Sequence, residues 1–358
     1  MKINLLKFIP KKLEHRDILI QKDNNFIIVK CNKINPPRPL KLKSFIKINL
    51  FFMEIMGLYF GDGLNSRNPR SNRSVNFCNN CFELHQLWIK FLENFMLNKD
   101  QLRAQIQVGI NNDLKNNELL DYWSLNTGIK KQNFQGISIK KNKAKRYGLL
   151  VVNFNNKLFR SIFNKIFDFC LDLCKEDRDF AKAFLKGLFA AEGHVQLNRN
   201  NSLATMSITI KDKKRRFFVQ SLLENLDIKS RNCYERLDIT GYLNFETIHS
   251  LKIANLHPEK GHTFKLGFKN LLNSSATKAL TKIKILNLLK NENLTRFEIS
   301  KKVDRGTSAI HKSLRDLENK GFVMRLNKSF SSNNKKLRDM WGLVKIPKDL
   351  SILMNRDY

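Results

Sequence analysis

Apolar residues recur at helical spacing from Phe51 onward. Phe51, Ile55 and Leu58 follow a helical period, while Gly57 and Gly61 lie on a second stripe along another face. A glycine inside a helix is less favourable than alanine by roughly 1 kcal/mol, so this stripe needs a tertiary reason. A close backbone contact with another helix would supply that reason.

The same pattern returns near the middle of the chain, which indicates an internal repeat. The segment Ile55–Gly63 aligns with Leu185–Gly193, and the stripe of small residues recurs as Ala183, Gly187 and Ala191. We therefore expect the two glycine stripes to pack against each other. The sequence predicts two related units, one over residues 49–176 and one over residues 177–272.

Each unit is predicted to fold as helix, two strands, helix, two strands, helix, which gives an α+β fold. The predicted strands lie near Val75–Cys78, Leu102–Ile110 and Leu149–Phe154 in the first unit, and near His194–Leu197, Ala204–Ile210 and Asn232–Ile239 in the second.

The C-terminal third has a different pattern, with three amphipathic helical segments followed by two alternating segments. The first helix has Leu280, Ile283 and Leu286 on its apolar face. The segments are Lys278–Lys290, Leu294–Ser300, a helix N-capped by Thr307 and closed by Gly321, and strands at Phe322–Leu326 and Met340–Val344. This order is typical of a winged helix-turn-helix domain, predicted over residues 273–346, with a tail at 347–358.

The segment 1–48 is basic, and near its end lie Pro36, Pro37, Arg38 and Pro39, a stretch that disfavours helix. The sequence predicts a basic N-terminal arm or linker there. No run approaches the roughly 18 apolar residues that a membrane span needs, and charges interrupt Met1–Lys7. We therefore expect a cytoplasmic protein with no membrane partner.

Charge narrows the possible partners. The 358 residues contain 65 Lys and Arg against 32 Asp and Glu, a formal net charge of +33, and 42% hydrophobic residues. Such a surface repels itself unless it meets a polyanion, which favours nucleic acid over an anionic bilayer and argues against most small-metabolite enzymes. The six cysteines are expected to be reduced thiols; Cys78, Cys81 and His85 form a half-site for metal without a second pair, so packed thiols are favoured.

Two acidic residues occupy equivalent places in the repeat. Asp62 and Glu192 each end a predicted helix and precede a glycine. An acid there is disfavoured by the negative end of the helix dipole, so stability does not explain it. If the glycine stripes pack together, both carboxylates lie side by side, where a hard divalent cation such as Mg²⁺ would hold them ionised. On a basic protein this arrangement suggests metal-assisted phosphodiester hydrolysis.

These two segments resemble the paired motifs of the LAGLIDADG homing endonucleases, over about residues 49–272. The resemblance implies two pseudosymmetric αββαββα units whose four-stranded antiparallel sheets form a saddle over the DNA major groove, and a monomer that cuts both strands at one site to leave staggered ends. It implies catalytic, metal-binding roles for Asp62 and Glu192 with Mg²⁺ or Mn²⁺, backbone oxygens of Gly61 and Ala191 near the metal, and a helix interface at Gly57, Gly61, Gly187 and Ala191. Phe60 and Ala190 replace the first acid of the motif, a position that varies.

DNA contacts are expected from polar and basic residues outside the paired helices. The candidates are Arg67, Arg70, Arg73, Lys140, Lys141, Lys143, Arg199, Lys211, Lys213 and Lys214 in the paired units, and Arg305, Thr307, Ser308, His311, Lys312 and Arg315 in the winged helix. The basic runs Lys140–Arg146 and Lys211–Arg216 are expected to contact phosphates, although each run alone could be a solvated face. The supporting Lys or Gln residues of the family match no motif here, and Lys211 and Lys265 are guesses. His194 could act as a general acid or base or be structural.

Three functions stay open at this point. The leading one is a site-specific, intron-encoded or free-standing DNA endonuclease of a mobile element with an added winged-helix domain. A non-cleaving regulator is the first alternative, because sporulation regulators resemble a degenerate LAGLIDADG unit joined to a helix-turn-helix. The second alternative is a maturase that binds intron RNA. Both acids are intact, which favours catalysis.

Overall fold

The structure is a computed structural model that describes residues 1–13, 16–23, 25–32, 39–63, 74–140, 146–329 and 338–347, with backbone only at 274–277, 327–329 and 338. The chain divides into two compact units. The first comprises residues 1–196 and 205–264, and the second comprises residues 197–204 and 265–358. None of the described helices is both long and apolar enough to cross a bilayer.

The N-terminal segment differs from the predicted arm, because it is folded into strands. They are β1 (Lys2–Asn4), β2 (Lys12–Leu13), β3 (Arg16–Asp23), β4 (Phe26–Cys31), β5 (Leu40–Lys43) and β6 (Phe45–Lys47). An antiparallel sheet has the order β2-β3-β4-β5, and β1 pairs with β6. Alternation explains the difference, because Ile27, Val29, Leu40 and Leu42 are buried on one face while lysines and two half-buried apolar residues lie on the other.

The first repeat follows. Its elements are α1 (Leu50–Asp62), β7 (Ser74–Asn79), α2 (Phe82–Leu92), β8 (Arg103–Gly109), α3 (Asn116–Thr127), β9 (Phe134–Lys140), β10 (Leu149–Asn155) and α4 (Lys157–Glu176). The Asn49 side chain caps α1 by accepting a hydrogen bond from the Phe52 amide at 2.9 Å. Trp88 and Phe163 lie in the aromatic core between the sheet and its helices.

The second repeat has a related plan, also with eight described helices and strands. They are α5 (Arg178–Glu192), β11 (Gly193–Leu197), β12 (Leu203–Thr209), α6 (Lys213–Asn225), β13 (Arg231–Cys233), β14 (Arg236–Ile239), α7 (Tyr242–Ser250) and α8 (Pro258–Asn291). The Asp177 carboxylate caps α5 by accepting from the amides of Asp179 and Phe180. Helix α8 belongs to the first unit through Phe264 and to the second unit beyond it.

The two sheets differ at one edge. The second sheet has the order β11-β12-β14-β13, and the first has the order β7-β10-β8-β9. Strand β9 pairs parallel to β8, so the first sheet is mixed, whereas the resemblance implied an antiparallel sheet. The sequence pattern missed α3 and β9, which together insert a helix and an edge strand between the neighbours β8 and β10. A short turn joins the corresponding strands β13 and β14.

The C-terminal unit has the predicted helix-turn-helix and wing. It contains the last part of α8, β15 (Leu294–Thr295), α9 (Arg296–Val303), α10 (Thr307–Asn319), β16 (Val323–Ser329) and β17 (Arg338–Leu343), with sheet order β15-β17-β16. Ile299, Ile310, Leu314 and Trp341 belong to its core. Two details differ from the sequence prediction.

The first detail concerns α8, which does not begin at Lys278 but continues unbroken from Pro258, and its Leu280 side chain is 54% exposed. The second concerns α10, whose N-cap is Gly306, so that Thr307 is already its first residue.

Candidate active site

Helices α1 and α5 pack against each other with their backbones in contact. A Cβ atom built on Gly57 would overlap the carbonyl of Phe184, and one built on Gly187 would overlap the carbonyl of Glu54. A Cβ on Gly61 would come within 2.8 Å of Glu192 Cγ. The two glycine stripes therefore face each other, which supplies the tertiary reason for glycine inside these helices.

Asp62 and Glu192 are the last residues of α1 and α5, and the close packing brings the two helix ends together. The next residues, Gly63 and Gly193, have φ angles of −73° and −72°, so a left-handed conformation does not explain them. Lack of space explains these two glycines. A Cβ atom at Gly63 would overlap Tyr59, one helical turn earlier, and one at Gly193 would overlap Phe189. After each of the two helices, the backbone therefore turns tightly over the last helical turn.

The Asp62 carboxylate lies in a largely dry environment. Burial raises its pKa from 3.8 to about 7, and the neighbouring Glu192 carboxylate also raises it, whereas a hydrogen bond from Asn79 and the charge of Lys260 lower it. The Asn79 Nδ2 atom donates to Asp62 Oδ2 at 2.6 Å. Asn79 is itself fixed, because its Oδ1 atom accepts from the Cys81 amide at 2.7 Å.

Glu192 is surrounded by three cations. Burial raises the pKa of its carboxyl group, while Lys260, Arg215 and Lys211 lower that pKa. Lys211, one of the two sequence guesses, therefore acts on the Glu192 carboxylate, and the other guess, Lys265, is exposed and belongs to the second unit.

Two of these cations cap the ends of the paired helices. The Lys260 ammonium, at the start of α8, donates to the carbonyls of Ala190 at 2.6 Å and Ala191 at 2.8 Å. The Arg215 guanidinium, on α6, donates to the carbonyl of Phe60 and lies 3.7 Å from that ring's centroid. Each cation compensates the negative end of a helix dipole beside an acid.

Sequence reasoning missed Asn79 and Lys260, and it misjudged the end of the basic run at Lys211–Arg216. Arg215 and Arg216 do not project as phosphate contacts. Arg216 is buried and donates to the Ile210 carbonyl at 2.6 Å and to Asn232 Oδ1 at 2.8 Å. Helical spacing gave a detectable signal, because Val219 is buried one turn after Arg216, on the inner face of α6.

The donor set fits a magnesium or manganese ion. Magnesium is commonly bound by one or two carboxylates and completes its shell with water and substrate phosphate. Asp62 and Glu192 offer such a pair, and a bound divalent ion would offset the burial that raises the pKa of both carboxyl groups. The described residues contain no group of three or more His, Cys, Asp and Glu that could hold an ion without phosphate or backbone oxygens. The predicted backbone oxygen of Ala191 already accepts from Lys260.

The first sheet carries polar side chains on the face opposite its buried one. In β8, Ala104 and Ile106 are buried, and the intervening Gln105 points the other way. The strand register places Arg103 beside Asn153 and Asn153 beside Asn76. We define the first outer face as Asn76, Arg103, Gln105, Gln107, Ser138, Lys140 and Asn153. The Asn76 Oδ1 atom is buried without a hydrogen-bond partner among the described residues.

The second sheet has an equivalent polar face. Met206 and Ile208 are buried, so Thr205, Ser207 and Thr209 of the same strand point away from the core. Ser207 lies beside Asp238, and Asp238 lies beside Arg231. We define the second outer face as His194, Gln196, Thr205, Ser207, Thr209, Arg231, Arg236 and Asp238. His194 is exposed on β11, shortly after Glu192.

The other predicted DNA contacts have mixed positions. Arg67, Arg70, Arg73, Lys141 and Lys143 lie outside the described residues. Lys140, Arg199, Lys211, Lys213, Lys214, Arg305, Ser308, Lys312 and Arg315 are exposed, and Thr307 and His311 are half-buried. Arg199 belongs to the second unit. On α10, Ser308, Lys312 and Arg315 share the exposed side, opposite Ile310 and Leu314.

The cysteine pair is packed. The Cys81 thiol donates to Glu83 Oε2 at 3.0 Å, and burial raises the pKa of Cys81 to about 12 and that of Cys78 to about 11. His85 is fully buried, and its Nε2 atom lies 3.0 Å from the Asn79 carbonyl oxygen. Burial lowers its pKa to about 4, so His85 is neutral at physiological pH and supports the strand that carries Asn79.

Comparison with known proteins gives two family matches. Residues 179–252 match the LAGLIDADG-like domain, and residues 285–338 match the family described as the sugar-specific transcriptional regulator TrmB. No curated protein matches the chain.

Solved structures similar to the chain have low identity. Mesophilic variants of the homing endonuclease I-DmoI are 15% identical, with 58% of this chain and 98% of that chain covered and a TM-score of 0.34. I-DmoI in complex with DNA and Ca is 16% identical, with 60% and 96% covered and a TM-score of 0.35. Full-length DUF199/WhiA from Thermatoga maritima is 11% identical, with 75% and 90% covered and a TM-score of 0.36.

Proposed function

We propose that this chain, which has a LAGLIDADG-like domain, is a site-specific endonuclease that cuts both strands of duplex DNA. The observation that carries the proposal is the meeting of Asp62 and Glu192 at the ends of two helices whose backbones touch. Both acids have raised pKa values there, so the arrangement destabilises the folded chain when they ionise, and stability does not explain it. Groups with perturbed pKa values cluster at functional sites. Binding a divalent cation against a phosphodiester is a function that suits such a pair.

In this proposal the two outer faces bind the DNA. The side-chain amides of Gln105, Gln107 and Asn153 can each donate to N7 of an adenine and accept from its N6 amino group. The unpartnered Asn76 Oδ1 atom would gain a hydrogen bond from a base or a bridging water. Lysines around these faces and the winged helix supply phosphate contacts, which position the duplex but do not read its sequence.

At the cut site each residue has a separate task. Asp62 and Glu192 would hold Mg²⁺ or Mn²⁺, which when bound activates water and stabilises the leaving oxygen. Asn79 orients Asp62 through the 2.6 Å hydrogen bond. Lys260 and Arg215 favour the ionised form of Glu192, because their charges lower the pKa of its carboxyl group against the effect of burial. Both repeats lie in one chain, so a monomer suffices for two cuts.

The unequal sheets predict an asymmetric target. Strand β9 lies beyond β8 at the edge where the second sheet ends with the corresponding strand β13, and neighbouring strands lie about 4.8 Å apart. Ser138 and Lys140 would therefore contact base pairs beyond the reach of the second sheet. Ser138→Ala with Lys140→Ala should relax sequence preference at the outermost positions of one half-site and leave cleavage intact. Arg231→Ala, on the edge strand of the other sheet, is the matched control and should affect the opposite half-site.

A selection experiment tests the proposal. The full-length protein is incubated with a randomised duplex library in Mg²⁺ and, separately, in a chelator, and both bound and cut molecules are sequenced. The endonuclease proposal predicts recurrent cut ends inside one long asymmetric sequence, in Mg²⁺ only. Enrichment of a bound sequence that is never cut, in Mg²⁺ or Mn²⁺, would contradict it.

A second candidate function is a DNA-binding regulator that does not cut. Lys260 favours it, because its ammonium already occupies the Ala191 carbonyl and lowers the pKa of both acids. A cation fixed there supplies part of the charge compensation that a metal would otherwise give the carboxylates. If so, Asp62→Asn would leave the bound target sequence unchanged and Mg²⁺ would not alter affinity, whereas the endonuclease should bind its target more tightly with the ion.

A further inference from the structure

Residues 40–48 include β5 and β6, which meet at a bend at Ser44, and buried and exposed residues alternate along both strands. Leu40, Leu42, Ser44, Ile46 and Ile48 are buried. The alternate residues, Lys41, Lys43, Phe45 and Lys47, are all exposed, and the Phe45 ring is 45% exposed.

The neighbouring strands add side chains to the same face. Phe26 and Ile28 of β4 pair with Lys43 and Lys41, and Lys2 of β1 pairs with Lys47. Lysines also lie over the two rings, with Lys41 Nζ 4.7 Å from the centroid of Phe26 and Lys2 Nζ 4.8 Å from that of Phe45. We call Lys2, Phe26, Ile28, Lys30, Lys41, Lys43, Phe45 and Lys47 the basic–aromatic strip.

The strip belongs to a strongly basic segment. Its described residues, 1–13, 16–23, 25–32 and 39–47, include ten Lys and Arg but only Asp17 and Asp23 as acids. Lys12 lies 4.0 Å from Asp17, and no other lysine or arginine of this described segment forms an ion pair. This charge has no acidic counterpart on its own surface, so it is complementary to a polyanion.

The strip lies away from the acid site. Lys47 closely precedes Asn49, which caps the N-terminal end of α1, whereas Asp62 lies at the opposite end of that helix. Thirteen helical residues separate the two by about 20 Å. The strip is therefore a second surface, and the nucleic acid held at the acids does not explain it.

We infer that the basic–aromatic strip binds single-stranded nucleic acid. Lysines alone would suit any phosphate backbone, but Phe26, Ile28 and Phe45 need an apolar partner that a duplex backbone does not offer. Unpaired bases provide one, since every base can stack on an aromatic side chain whatever its identity. The strip combines five lysines with two rings, which suits binding to a flexible strand, and it has no dependence on metal or on Asp62 and Glu192.

The test measures binding of a fluorescent oligothymidylate to the full-length protein by anisotropy at moderate salt, with oligouridylate and a duplex as competitors. Lys41→Glu with Lys43→Glu should weaken binding at least about tenfold, because two phosphate contacts are lost and repulsion is added. Phe45→Ala should weaken it at least about fivefold, and Phe45→Tyr should retain it. Lys165→Glu with Lys229→Glu changes the net charge equally at two exposed sites and is the matched control.

Three results would overturn the inference. They are absence of oligothymidylate binding by the wild-type protein, equal loss in the control variant, and competition by duplex as effective as by single strands. Circular dichroism and thermal unfolding show whether each variant is folded, and Phe45→Tyr keeps the aromatic claim testable if Phe45→Ala is unstable. Duplex cleavage should be unchanged in the strip variants, so failure of this inference is distinguishable from failure of the endonuclease proposal.

Discussion

Replacing Asp62 by Asn should stabilise the protein while removing its activity. The pKa of Asp62 is about 7 in the folded chain, against 3.8 for an ordinary aspartate. Between these pH values the folded protein keeps a proton that the unfolded chain releases, so stability falls as pH rises from about 4 to about 7. An Asn side chain has the shape of Asp but does not ionise, so it avoids this loss.

The magnitude follows from the difference in pKa. About three pH units at 1.36 kcal/mol each give an upper limit of about 4 kcal/mol at pH 8, and almost none of this at pH 4. For a domain of this size, such a gain corresponds to an increase in Tm of up to about 10 °C. The Asn79 amide can still donate to the side-chain oxygen of Asn at this position.

Thermal unfolding of wild type and Asp62→Asn is measured near pH 5 and near pH 8, in a chelator so that no divalent ion compensates the carboxylates. Asp113→Asn, at an exposed acid, is the matched control and should change Tm little at either pH. A wild-type protein that is as stable as Asp62→Asn near pH 8 would refute the argument that burial penalises this carboxylate.

Three further predictions follow from the contacts. Gly57→Ala with Gly187→Ala should lower the free energy of unfolding by at least about 2 kcal/mol in urea denaturation, because overlap with backbone outweighs the higher helix propensity of alanine; unchanged stability would contradict the close packing. Lys260→Met should shift the pH–rate profile of cleavage to higher pH, since the pKa of both acids rises without the ammonium. An unshifted profile would contradict the role of Lys260 in setting these pKa values. Lys312→Ala and Arg315→Ala should each weaken DNA binding and reduce its logarithmic salt dependence by about one, measured by titration at several salt concentrations.

The central pair of helices could be predicted from the sequence because its signal is local and repeated. Gly57 and Gly61, which disfavour a helix, correspond to Gly187 and Ala191 in the second repeat. Both pairs have the same sequence spacing to the acid that follows them. The structure has the same helices in contact, with glycine where a Cβ would overlap backbone. The winged helix was also predictable, since Ile310, Leu314 and Leu317 have an unbroken helical period.

Other features depend on contacts between distant residues and give no local signal. Lys260 lies far from both Asp62 and Glu192 along the chain, and nothing in its sequence neighbours marks it as the cap of α5. Strand β9 escapes prediction because parallel pairing with β8 depends on the intervening helix α3. The N-terminal strands resemble an arm in sequence because net charge masks the alternation of Leu40, Leu42 and Ile46 with lysines.

The claim that Asp62 and Glu192 together cut DNA is tested most directly on the selected target. Single-turnover cleavage of that duplex in Mg²⁺ is compared for wild type, Asp62→Asn and Glu192→Gln, with binding of the same duplex measured in parallel. The account predicts that each substitution reduces cleavage at least about a hundredfold while the folded variants still bind the target. Cleavage by either variant at the wild-type rate would contradict it.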